Sequence, residues 1–106
     1  MAESNSHLIQ ILLPLRDNQG NKFPDADFER IQKVLADQFG GLTAYGRAPA
    51  EGVWAQGGKK WRDDILVVEV MAGELDVGWW RSFRRDLEKT LRQEQLVIRA
   101  HSLQVL

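Results

Sequence analysis

Cysteine is absent from this 106-residue chain, and histidine is limited to His7 and His101. The first absence excludes disulfides, thiolate metal ligands, thioredoxin-like redox chemistry and a cysteine nucleophile. An excess of positive charge is missing as well: 14 Lys and Arg stand against 15 Asp and Glu, a formal net charge of −1. No overall field gathers phosphates, so nucleic acid is not the expected partner. Long hydrophobic runs are also lacking. The apolar stretch HLIQILLPL stops around Pro14, far short of a bilayer span. The preceding MAESNS carries an acid and no base, unlike a secretion signal. These absences predict a soluble cytoplasmic protein with no membrane partner. No serine lies in a nucleophile-elbow context, and the Gly58-Lys59-Lys60 piece lacks both the phosphate-loop spacing and the helix that should follow it.

What is present suits one compact domain. Hydrophobic residues make up 43% of the chain, with four Trp and four Phe, enough for a real core. After a flexible N-terminal tail over residues 1–6, His7 to Leu15 reads as a strand, closed by Pro14 and the turn-rich RDNQGNKFPD. Asp25 suits an N-cap, and Phe28, Ile31, Leu35 and Phe39 recur at helical spacing until Gly40 and Gly41. Leu42 to Ala48 alternates as a second strand, ended or bent by Pro49. Asp64 to Ala72 (DILVVEVMA) is the most strand-like run, apolar on both sides except at Glu69. Asp76 is a second N-cap, with Leu75 and Trp80 placed as a hydrophobic staple. Trp80, Phe83, Leu87 and Leu91 form the stripe of a helix reaching about Glu94, with Arg84–Glu88 and Glu88–Arg92 as local ion pairs. Leu96 to His101 is the last strand.

The order strand, helix, strand, strand, helix, strand predicts an α+β, ferredoxin-like split βαβ sandwich (βαββαβ) over residues 7–106. Its four-stranded antiparallel sheet has the order 4-1-3-2, with both helices on one face and an extended hairpin between the second and third strands. The segments FGGLTAY (39–45), PAEGVW (49–54), RDDILVVEV (62–70), the pair Trp79-Trp80 and QEQLVIRA (93–100) resemble an uncharacterised family of small stand-alone ferredoxin-like domains. That resemblance implies the same fold and supplies no activity, cofactor or site residue.

The glycine-studded stretch between the second and third strands holds Tyr45, Trp54 and Trp61 among basic residues. A two-residue turn at Gly57-Gly58 sets Trp54 opposite Trp61, and a one-residue bulge near Pro49 to Glu51 reconciles that register with the core. A three-residue loop, Gln56 to Gly58, keeps parity without a bulge. The paired tryptophans are the preferred reading.

The sheet face away from the helices carries the candidate site. Gln10, Tyr45, Arg47, Val67, Glu69, Arg99 and His101 fall there, with Trp54 at the hairpin, among apolar neighbours such as Leu8, Leu12 and Met71. An apolar floor with a few polar groups fits an interface or a pocket. The leading expectation is a binding or assembly module that forms a homodimer through this face, Arg99 or Arg47 neutralising Glu69. The alternative is a small enzyme or ligand-binding protein of the dimeric α+β barrel type, in which His101, Tyr45 or Glu69 moves a proton. A base-stacking platform of Tyr45, Trp54 and Arg47 lacks clustered basic residues to support it. Trp79, Arg81 and Arg85 form a candidate contact for a protein partner, half-buried packing being the competing explanation for Trp79. The first and fourth strands, read as parallel neighbours, hold His7 and His101 at opposite ends, which disfavours a two-histidine metal site. No metal, cofactor or catalytic residue is assigned.

Overall fold

The computed structural model describes residues 7–53 and 60–106, with the backbone alone over 45–53 and 60–64. Six elements follow in order: β1 (His7–Pro14), α1 (Asp25–Phe39), β2 (Thr43–Val53), β3 (Lys60–Ala72), α2 (Val77–Thr90) and β4 (Val97–Ser102). The strands form one antiparallel sheet in the order β2-β3-β1-β4. This is the βαββαβ arrangement expected from the pattern.

Alternation along β1 turns Ile9, Ile11 and Leu13 to one side, where they meet Val68 and Val70 of β3. Phe28, Ile31 and Leu35 of α1 and Trp80, Phe83 and Leu87 of α2 join the same cluster, so both helices cover one face. Each fully buried aliphatic side chain in this layer contributes about 1.5–3 kcal/mol relative to exposure. Among the described residues no helix is long and apolar enough to cross a membrane.

The helix ends show where local rules hold. Asp76 caps α2, its Oδ1 accepting from Trp79 N–H at 3.0 Å, and Leu75 packs against the core beside that first turn. At α1 the expectation is corrected: Pro24 is the N-cap and Asp25 is the first helical residue, with no side-chain cap. Pro24 brings no donor of its own, and Asp25 and Asp27 instead place negative charge in the first turn, against the helix dipole. Gly40 closes α1 in the left-handed region, φ 82°, its N–H donating to the Ala36 carbonyl at 2.8 Å.

Helix α2 ends four residues before Glu94, because Arg92 turns left-handed at φ 53°. The Arg92 guanidinium then lies 3.8 Å from Asp17. Glu88 stays 3.8 Å from Arg84, and its Oε2 accepts from the Leu96 N–H at 2.9 Å. The carboxylate thus ties the helix to the start of the last strand, a role helical spacing does not reveal.

Two register expectations are corrected. First, β1 and β4 are antiparallel, with Leu8 opposite His101 and His7 opposite Ser102. The histidines therefore share one end of the sheet. His7 follows the alternation of Ile9 and Ile11 toward the helix side, where its Nδ1 donates to the Gly73 carbonyl at 3.1 Å, whereas His101 lies across from Leu8 on the other side. The sheet itself separates the two imidazoles. Second, the pairing of β2 with β3 shifts between Arg47 and Ala50, the one-residue bulge expected near Pro49. Beyond it Gly52, and not Trp54, stands opposite Trp61. Ala44 pairs with Val68 before the bulge, and one extra residue advances the pairing by one step beyond it. Setting Trp54 against Trp61 would need two further extra residues. Residues 54–59, including Trp54, lie outside the described residues.

Candidate functional site

The helices leave the other face of the sheet uncovered, and a polar row crosses its middle. Gln10 of β1 stands opposite Arg99 of β4 on one side and Glu69 of β3 on the other, and Thr43 of β2 stands opposite Glu69. Arg99 Nε donates to Gln10 Oε1 at 2.8 Å, and Gln10 Nε2 donates to Glu69 Oε2 at 2.7 Å. The amide orientation follows from its neighbours, since a guanidinium only donates and a carboxylate only accepts. Glu69 is therefore linked to Arg99 through Gln10. The sequence placed these three residues on one face; the strand register makes them a continuous chain.

Apolar side chains flank the row. Leu8 and Met71 stand opposite each other on one side of it, Leu12, Val67 and Val97 on the other. Met71 and Val97 are 47% and 48% exposed. Val67, also on this face, is only 4% exposed, so a charge there would test folding more than association. His101 is exposed beside Leu8, one pairing step beyond the row. Tyr45 and Arg47 occupy register positions opposite Val67 and Ile65, and their side chains lie outside the described residues.

A groove of about 370 Å³ opens next to the row, lined by Leu8, Leu42, Thr43, Glu69, Met71 and the α1–β2 connection at Phe39 to Gly41. The connection was missed as a site component because its glycines are explained by helix termination. Its proximity to Met71 follows only from the pairing of Thr43 with Glu69.

The second candidate group separates. Trp79 is half-buried in an aromatic cluster, edge-on to Phe39 at 5.2 Å and stacked on Phe83 at 5.0 Å. These contacts account for its position as packing between the end of α1 and the start of α2. Arg81 and Arg85 are exposed on α2. Among the described residues no group of three or more His, Asp or Glu is arranged to hold a metal ion.

No protein-family model matches the chain, and no curated protein matches it. The chain is similar to the solved structure of a phage SAM lyase in complex with S-methyl-5'-thioadenosine, at TM-score 0.69 and 9% sequence identity. The match covers 96% of this chain and 84% of that one. At that identity the likeness is one of fold.

Proposed function

We propose that the chain is a small cytoplasmic assembly module that pairs with a second copy of itself through the open sheet face. The supporting observation is the polarity of the Arg99–Gln10–Glu69 row, cationic at one end and anionic at the other. A two-fold axis running along the strands above Gln10 lays Arg99 of one copy over the partner's Glu69. The same rotation lays Leu8 and Leu12 on their own copies and Val97 over the partner's Val67. Opposite charges meet while apolar surface leaves water, the self-complementarity that an isologous interface needs.

Light scattering coupled to size exclusion tests this with charge exchange. The wild type should be a dimer. Glu69→Arg alone and Arg99→Glu alone should each be folded monomers by circular dichroism, and the double exchange should restore the dimer. A monomeric wild type, or single exchanges that leave the dimer intact, would overturn the reading.

A second reading draws on the groove beside Glu69 and on the fold likeness to a protein complexed with S-methyl-5'-thioadenosine. Here the face, closed or not by a second copy, takes a small ligand bearing an adenosine-like group. Calorimetric titration with S-methyl-5'-thioadenosine should give saturable heat that Glu69→Gln weakens, and the absence of heat would dismiss this reading.

A further inference from the structure

Strand β4 is an edge of the sheet. It pairs with β1 on one side, and among the described residues no strand and no further backbone hydrogen bond reaches it from the other. Its six residues, Val97–Ser102, therefore turn unpaired N–H and C=O groups outward at every second position. Such an edge is a template for an added strand, and charge on it decides which chains can use it.

The two faces along this edge differ. On the helix side, Ile98 and Ala100 border a cavity of about 180 Å³ whose opposite wall includes Leu75, Val77 and Arg81. No acid lines it, and Val77 and Arg81 are exposed. An apolar cavity of about 150 Å³ holds a benzene ring, so an aliphatic side chain reaching in from a neighbouring strand fits this space. On the open side, Val97, Arg99 and His101 are exposed. The bond from Arg99 to Gln10 uses Nε, and among the described residues no acid forms an ion pair with Arg81, Arg99 or His101.

A second copy of β4 suits this edge poorly. Directly opposed residues of an antiparallel pair share a face, so a two-fold register that engages most of the strand sets Arg99 against Arg99 or His101 of the other copy. Basic side chains then face each other. A strand with acids on one face and apolar residues on the other meets both sides of the edge.

We propose that the outer edge of β4 takes up an extended segment of a partner protein in which acidic and apolar residues alternate. The acids lie beside Arg99 and His101, the apolar side chains enter the cavity against Ile98 and Ala100, and the four-stranded sheet gains a fifth strand. This use of the edge needs no second copy and does not rest on the assembly reading.

The probe is the peptide acetyl-Glu-Val-Glu-Val-Glu-Val-amide, titrated into the full chain and followed by amide NMR. Alternate amides of β4 should exchange rapidly in the free protein and gain protection with peptide, with saturable shifts centred on residues 97–102 and a Kd of about 1 mM or tighter. Two control peptides separate charge from backbone pairing. One carries lysine in place of each glutamate, and the other is N-methylated at both central residues, which removes a ladder donor whichever way the strand faces. Both should bind at least about tenfold more weakly. Ala100→Phe, at an exposed position beside the cavity, should weaken binding severalfold by filling the space. Arg99→Glu should reverse the preference toward the lysine peptide. No saturable shift up to about 5 mM peptide, equal binding of the lysine peptide, or unchanged binding of the N-methylated one would overturn the proposal. So would β4 amides that are all protected in the free protein, since a second copy would then hold the edge.

Discussion

Replacing Glu88 with alanine separates two accounts of that residue. Helical spacing assigns it to an ion pair with Arg84, and the geometry assigns it to the Leu96 amide. The pair is long at 3.8 Å and the Arg84 side chain is 40% exposed, so it contributes about 0–1 kcal/mol. The bond from Leu96 N–H is 2.9 Å and the Glu88 side chain is only 17% exposed. A hydrogen bond to a charged acceptor is worth about 1.5–3 kcal/mol, and alanine returns a few tenths through helix propensity. Glu88→Ala should therefore cost about 1–2.5 kcal/mol, Arg84→Ala less than about 1. Glu88→Gln keeps a neutral acceptor and should lose about half as much as alanine. The assay is urea unfolding at fixed protein concentration, with hydrogen exchange at Leu96 as the local readout. That amide should exchange faster in Glu88→Ala and stay protected in Arg84→Ala. Equal losses for Glu88→Ala and Arg84→Ala, with unchanged Leu96 exchange, would refute the assignment.

Two further predictions rest on backbone geometry and on ionisation. Gly40→Ala meets no atom within 4 Å of its new Cβ, so its cost is that of the left-handed φ of 82°. It should destabilise by about 1 kcal/mol in the same unfolding assay. Asp17 is held below the ordinary carboxylate pKa chiefly by the Asn21 backbone N–H, with help from the Gln19 N–H and Arg92 outweighing its desolvation. A depressed folded pKa contributes stability above the unfolded value of about 3.9, and that contribution fades as pH falls through the folded pKa. Wild type should thus lose more stability than Asp17→Asn between about pH 5 and 3, read from denaturant midpoints. Parallel pH profiles would count against the Asp17 contribution.

The local pattern of the chain carried most of the secondary structure. Alternation in ILLPL and DILVVEVMA specifies strands because successive side chains point to opposite faces, and Phe28, Ile31 and Leu35 specify a helix because their spacing matches its turn. The cap at Asp76 was legible for the same reason, since it depends on residues close in sequence, whereas the bulge near Pro49 was expected from a tryptophan pairing that the register does not make. The candidate face was legible too, since parity along each strand assigns Gln10, Glu69 and Arg99 to one side once the sheet order is inferred.

Only the tertiary structure decided which of these residues meet. Strand direction set His7 and His101 at the same end of the sheet on opposite faces, and the pairing of β2 with β3 set Gly52, and not Trp54, opposite Trp61. Glu88 keeps its expected pairing with Arg84 at 3.8 Å and takes a second role because Leu96, eight residues on, brings its amide within 2.9 Å. Periodicity is a property of one segment, fixed by the geometry of its own backbone. Register, long-range hydrogen bonds and cavities arise where separate segments are forced together by a shared core, and no single segment encodes them.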